Sequence, residues 1–220
     1  MIDDEAWSEP VTGSRLWAAV ADGMGGHEAG NIASEVAIEA VASPLGAARS
    51  EQDMVELALA ANRQIFQAMF SGEGRMRMGT TLVAAIVRRD TALFVNVGDS
   101  RAYQLSGDKL RLVTKDDTLP SQASGRRQHI LTQSLGGLAF QSAITPHVTR
   151  VQFGLRDRLL LCSDGLTDLV SDNDLAQILR REREEPAHAL VAAALASGGR
   201  DNITVIVIGE AVEGEGERSG

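Results

Sequence analysis

Asp22, Asp99, Asp164 and Asp201 share one kind of neighbourhood, in which an apolar, strand-like run meets a short turn. Asp22 ends Leu16-Trp17-Ala18-Ala19-Val20-Ala21 and opens Gly23-Met24-Gly25-Gly26-His27. Asp99 lies in Val97-Gly98-Asp99-Ser100, Asp164 in Cys162-Ser163-Asp164-Gly165, and Asp201 in Arg200-Asp201-Asn202 just ahead of another apolar run. All four are hard oxygen donors. If these strand ends converge on one rim, like charges crowd together, which is costly unless cations neutralise them. No Cys/His cluster has zinc-ligand spacing, so Mg2+ or Mn2+ is favoured, with several waters retained. Two such ions bridged by one carboxylate can lower the pKa of a shared water and clamp phosphate oxygens during in-line displacement; hydrolysis of a phosphate ester is the reaction this serves best. Taken singly, each aspartate also reads as a turn former or a cap. Four such accidents together are a poorer explanation than one site.

The elements that must position these residues follow from periodicity. Leu16 to Ala21 reads as a buried strand, and Glu28 to Ser43 carries Ile32, Val36, Ile38 and Val41 at helical spacing, so Asp22 falls on a strand-to-helix corner. Glycines at that corner let a backbone carbonyl or N–H approach an ion or a phosphate. Ser43-Pro44-Leu45-Gly46 is expected to break the first helix, and Glu51 to Phe70 carries a second apolar stripe ended by Ser71-Gly72-Glu73-Gly74. Thr80 to Val87, Ala92 to Val97, Arg101 to Leu105 and Lys109 to Val113 read as an antiparallel meander. Lys115 to Gln128 is a polar excursion containing Pro120 and Gly125, read as a flap over one edge. His147 to Phe153 and Leu159 to Cys162 are further strands, Asp172 to Arg183 and Pro186 to Ala196 helices, and Ile203 to Ile208 a closing strand, with Ser171 a candidate helix cap. Helices in two separate groups with strands between them predict an α+β fold, a four-layer αββα sandwich of two mainly antiparallel sheets flanked by helices.

Composition narrows the function classes. At 220 residues and 44% hydrophobic content, one large layered domain over residues 1–209 is expected, followed by a disordered acidic, Gly-rich tail at 210–220. A formal charge of -9 argues against nucleic-acid binding. The single cysteine, Cys162, forms no intrachain disulfide, sits in an apolar run and reads as a small core residue. No segment is long and apolar enough to span a bilayer, and the acidic Met1-Ile2-Asp3-Asp4-Glu5 start is unlike a signal peptide, so a soluble cytoplasmic protein is expected.

Five ordered motifs resemble the PPM/PP2C family of metal-dependent protein Ser/Thr phosphatases, in a bacterial flavour. They are Ala21-Asp22-Gly23-Met24-Gly25-Gly26-His27, Gly79-Thr80-Thr81, Val97-Gly98-Asp99-Ser100-Arg101, Ser163-Asp164-Gly165-Leu166 and Arg200-Asp201-Asn202-Ile203-Thr204, spread over nearly the whole chain. The resemblance implies an αββα sandwich with a metal centre at one end of the sheets. Asp22 would bridge two Mg2+ or Mn2+ ions, Gly23 would offer its carbonyl to one, and Asp164 and Asp201 would hold the other. Asp99 with Asp164 would make a third, weaker site, with Asp168 an acidic residue near it and Asn202 orienting Asp201. The implied partners are phosphorylated proteins, with a Ser/Thr kinase and its targets as the natural setting.

Two departures from the family pattern stand out. Asp4-Glu5-Ala6 resembles the end of the family's first-strand motif, with Asp4 and Glu5 in the acidic positions, so the phosphate-binding Arg expected upstream would fall before Met1 and the chain is expected to start inside its first strand. Arg101, Arg126 and Arg127 are candidate substitutes, each with the plainer reading of a surface charge. Met24 occupies the place where some members have a His, and a thioether cannot deliver a proton. His27 has a structural explanation as a helix-start residue and is not among the catalytic candidates. The expected activity is therefore hydrolysis of phosphoserine and phosphothreonine in proteins. The alternatives are a pseudophosphatase that binds a phosphoprotein without hydrolysing it, and an acidic metal-binding structural domain.

Overall fold

The computed structural model describes residues 15–119, 130–182 and 184–209. The described residues open with β1 (Arg15–Val20) and the short β2 (Gly23–Met24), then form α1 (His27–Ala47) and α2 (Glu51–Ser71). After β3 (Gly79–Thr80) come the longer strands β4 (Leu82–Arg88), β5 (Thr91–Val97), β6 (Arg101–Ser106) and β7 (Lys109–Leu112). The second half holds β8 (Leu135–Gly136), β9 (His147–Gln152), β10 (Arg158–Cys162), α3 (Asp164–Thr167), α4 (Asp172–Arg181), α5 (Pro186–Ala196) and β11 (Val205–Ile208). Asp4, Glu5, Arg126, Arg127 and the tail at 210–220 lie outside the described residues.

One sheet has the order β1-β4-β5-β9 and the other β11-β10-β6-β7, with every pairing antiparallel; β2-β3-β8 makes a third, small sheet. Period-two alternation sorts the side chains into layers. On β10, Leu159 and Leu161 meet Val20, Val83, Ala85 and Phe94 in the core between the two large sheets. Their neighbours Leu160 and Cys162 turn the other way and pack with Leu175, Leu179 and Leu190 of α4 and α5. On the far side, Leu93, Val95 and Val97 of β5 pack with Val41, Leu57, Ala61 and Ile65 of α1 and α2. This is the αββα sandwich.

Three sequence expectations need correction. Pro44 does not end the first helix, which continues to Ala47. Its ring forfeits one N–H bond, yet Val41 and Leu45, both fully buried, hold that last turn against the core, and Ala48 N–H closes it onto Pro44 O at 3.1 Å. The expected strand from Thr80 to Val87 is two strands broken at Thr81, where Thr81 N–H turns to Asp22 O at 2.9 Å. The meander is divided: β4 and β5 belong to one sheet and β6 and β7 to the other. The chain changes sheets at Gly98, whose φ of +102° is a conformation glycine adopts readily. Other boundaries fall within a few residues of expectation. Ser171 does cap α4, its Oγ accepting Asp174 N–H at 3.3 Å.

Candidate metal centre

The strand ends that carry the aspartates meet at one end of the sandwich. Asp22 follows β1, Asp99 lies on the crossover from β5 to β6, Asp164 starts α3 directly after β10, and Asp201 precedes β11. Their electrostatics register this convergence. Burial, then the charge of Asp164, a hydrogen bond with Asp164, and the charges of Asp201 and Asp99 push the Asp22 carboxyl up to about 8. Asp99 is itself buried, at 7% exposure. Among the described residues no three acidic, His or Cys side chains close on a common point. An all-oxygen, anionic donor set of this kind suits hard divalent cations better than zinc or copper.

Hydrogen bonds fix the backbone beside each aspartate. Asp22 N–H donates to Thr81 Oγ1 at 3.0 Å, Thr80 Oγ1 donates to Asp22 O at 2.9 Å, and Thr81 Oγ1 shares a 2.7 Å hydrogen bond with Ser100 Oγ, next to Asp99. These hydroxyls tie the Asp22 corner to the Asp99 crossover. Ser163 does the same for the other pair. Its N–H donates to Thr204 O at 3.1 Å, its Oγ donates to Asn202 O at 3.2 Å, and it accepts Thr204 N–H at 3.1 Å, lacing the Asp164 turn to the Asp201 loop. Asn202 N–H donates to Asp201 Oδ1 at 2.8 Å, so Asn202 touches that carboxylate through its backbone. Asp168, exposed at the end of α3, donates its N–H to Asp164 O at 2.8 Å. Thr80, Thr81, Ser100 and Ser163 were not singled out as site residues from the sequence; the available signal was their recurrence inside the quoted motifs.

Glycines at the site allow close backbone packing. A Cβ on Gly23 would lie 2.1 Å from Gly30 O, so β2 can lie against α1 only without a side chain there. Gly165 is nearly as tight between the Asp164 turn and the Asp201 loop, its hypothetical Cβ lying 2.2 Å from Asn202 O. Met24 pairs with Gly79 across β2 and β3.

Arg101 is neither a surface charge nor a spare phosphate ligand. Its guanidinium is engaged by Asp116, with Nε 3.0 Å from both carboxylate oxygens and Nη2 2.6 Å from Oδ2, and Nη1 reaches Tyr103 Oη at 3.2 Å. A fork filled by a carboxylate is not open to phosphate. At the base of the excursion, Asp117 accepts Gly98 N–H at 2.9 Å through Oδ2 and pairs with His147 Nε2 at 2.7 Å through Oδ1, while Thr118 bridges to Leu131. The excursion is thereby rooted beside the Asp99 crossover. Cys162 is fully buried and burial pushes its thiol up to about 12, as expected of a core residue.

The model of the protein phosphatase 2C family matches residues 3–197. The serine/threonine phosphatase Stp of Listeria innocua is 35% identical over 210 residues, covering 86% of this chain and 82% of that protein. PstP of Mycobacterium tuberculosis is 37% identical over 89% of this chain, which spans 40% of PstP's length. In three dimensions, the M. tuberculosis PstP/Ppp crystal structure superposes with a TM-score of 0.78 at 32% identity, covering 93% of this chain and 94% of that one. The PstP catalytic domain in complex with two manganese ions gives 0.77 at 34% identity, covering 90% of this chain and 88% of that one. The chain belongs to the protein phosphatase 2C family, the metal-dependent protein serine/threonine phosphatases.

The raised Asp22 pKa has a consequence for stability. Between the ordinary carboxylate value of 3.8 and about 8, the folded, metal-free protein holds a proton that the unfolded chain releases. Stability therefore falls as pH rises through this window, the reverse of an ordinary ion-paired carboxylate. Melting curves in chelator from pH 5 to pH 9 should show a steady fall in Tm, and Asp22→Asn should flatten it. An equally steep fall in the variant would place the linkage elsewhere.

Proposed function

We propose that Asp22, Asp164 and Asp201, with the Gly23 carbonyl, hold two Mg2+ or Mn2+ ions, that Asp99 and Asp164 form a third, weaker site, and that phosphoserine and phosphothreonine esters in proteins are hydrolysed at this rim. The observation that carries the assignment is the crowding of Asp22 by Asp164, Asp201 and Asp99. Bound cations would supply a water of lowered pKa and offset the charge on the phosphate oxygens. Asp22 feels the charge of all three other carboxylates and is the candidate bridge. The Thr80–Thr81–Ser100 hydroxyls order the Asp22–Asp99 half of the centre and Ser163 orders the Asp164–Asp201 half, so little reorganisation within each half is needed when a substrate arrives. Met24 has no proton to give, and the leaving alkoxide takes its proton from water at the exposed rim. Asn202 steadies Asp201, and Asp168 borders the third site. The domain spans residues 1–209, in a cytoplasmic setting where a Ser/Thr kinase supplies the phosphorylated partners. Among the described residues no helix is long and apolar enough to cross a membrane.

The test is hydrolysis of p-nitrophenyl phosphate and of a phosphothreonine peptide, each with Mn2+ and with chelator. Turnover that requires the metal is expected with both. A well-folded sample that binds Mn2+ and hydrolyses neither would put the pseudophosphatase in its place.

A further inference from the structure

At the opposite end of the sandwich from the aspartates, a groove of about 490 Å³ opens between β7 and β9. These are the terminal strands of the two large sheets among the described residues. The placement follows from register. Ser106 pairs with Lys109 where β6 turns into β7, and Gln152 pairs with Thr91 at the start of β5, whereas the Asp99 crossover lies beyond the other end of β5. Seven residues of β5 separate the two ends, or about 23 Å at the rise of a strand.

In a chain of net charge -9, the walls of this groove are basic. Lys109 and Arg111, two residues apart on β7, project to the same side. Neither forms an ion pair with a carboxylate among the described residues. Arg150 of β9 faces them across the groove and shares its charge with Glu51 at 3.3 Å, both side chains being about half exposed. Beneath the cations lies an ordered polar floor. Gln104, 6% exposed, donates from Nε2 to Gln152 O at 2.6 Å and to Asp157 Oδ2 at 2.8 Å, and its Oε1 accepts Arg111 Nη2 at 3.0 Å. The buried Asp157 also accepts Gly154 N–H at 3.0 Å. Arg111 is thus steadied by a neutral amide, which leaves its charge and its remaining donors available to an incoming anion. Even with Asp157 in the floor, whose carboxylate is taken up by Gln104 and Gly154, the groove is net positive. Two cations without a carboxylate partner among the described residues, a third shared with Glu51, and two edge strands able to hydrogen-bond an extended backbone suit a peptide carrying several negative charges better than a single free ion.

We propose that the groove between β7 and β9 docks an acidic, phosphate-bearing segment of the protein substrate, at a distance from the phosphoester being cleaved. This rests on the phosphatase reading and adds a substrate preference to it. A segment engaging both ends needs a spacer of about eight extended residues to cover the distance.

Three substrates separate the possibilities: p-nitrophenyl phosphate, a short phosphothreonine peptide, and the same peptide carrying, after an eight-residue spacer, a run of Glu with one phosphoserine. In the Lys109→Gln/Arg111→Gln variant, kcat/KM for the first two should stay within about twofold of wild type. For the extended peptide it should fall about tenfold through KM, with a flatter salt dependence. Independently of turnover, a fluorescein-labelled peptide of the acidic, phosphorylated extension alone should bind wild type and lose about tenfold in affinity in the variant. Competition by inorganic phosphate at equal concentration should be weak; if it displaces the peptide completely, the groove is a free-anion site and the proposal fails. The proposal is also overturned if the variant treats both peptides alike and the labelled extension binds neither protein, since the charges then serve only to guard the sheet edges against association. If wild type hydrolyses none of the substrates while the extension still binds through Lys109 and Arg111, the phosphatase reading fails and the docking site stands.

Discussion

Replacing Asp164 with Asn should lower turnover of a phosphothreonine peptide at least about a thousandfold while leaving the fold intact. Asp164 contributes the largest single charge felt by Asp22 and also hydrogen-bonds to it. Its backbone position does not depend on the carboxylate, because the turn is laced to the Asp201 loop by Ser163 and α3 begins there regardless. Asn keeps the shape and removes the charge, so the loss should fall on cation binding and catalysis. In metal-free protein the same change removes a repulsion and should raise Tm, most visibly above neutral pH, where Asp22 would otherwise be losing its proton. Activity, calorimetric Mn2+ titration and thermal melts together test this. A variant as active as wild type would take Asp164 out of the ligand set.

Gly165→Ala should be nearly as damaging for a mechanical reason. The added methyl would lie 2.2 Å from Asn202 O, a backbone atom that cannot swing aside. The Asp164 turn and the Asp201 loop must separate, straining the Ser163 bonds between them and pulling two proposed ligands apart. A destabilisation of about 3 kcal/mol is expected from such overpacking, together with weakened Mn2+ binding. Gly46→Ala is the matched control. It lies within α1, where its new methyl would meet only the Trp17 ring at 3.4 Å, and the substitution should be neutral or stabilising by up to about 1 kcal/mol. Denaturant unfolding of both variants decides the matter. Equal losses would mean that the Asn202 contact is irrelevant.

The layers were legible because the helices fall in two separate groups with strands between them, and runs such as Leu159-Leu160-Leu161-Cys162 are apolar throughout, as strands buried on both faces are. The aspartates were legible as a group because each follows or precedes an apolar run. Less accessible were features set by contacts distant in sequence. Thr81 breaks a continuous apolar pattern because its N–H bonds to Asp22 O, 59 positions away in the chain. Nothing local in Val97-Gly98-Asp99-Ser100 says that the next strand joins a different sheet. Pro44 reads as a stop because local propensity favours one, and only the burial of Val41 and Leu45 overrides it. Arg101 read as a surface charge because its partner, Asp116, lies beyond two strands.

Cys162 is the single cysteine of these 220 residues, so no disulfide within them ties the two sheets together. The aspartates nevertheless come from both layers. Asp22 hangs from the sheet of β1, Asp164 and Asp201 from the sheet of β10 and β11, and Asp99 from the strap between the two. A divalent ion shared among them is then a rivet as well as a reagent. Held by these proposed ligands, it would pin the two sheets at the end where their strands run out.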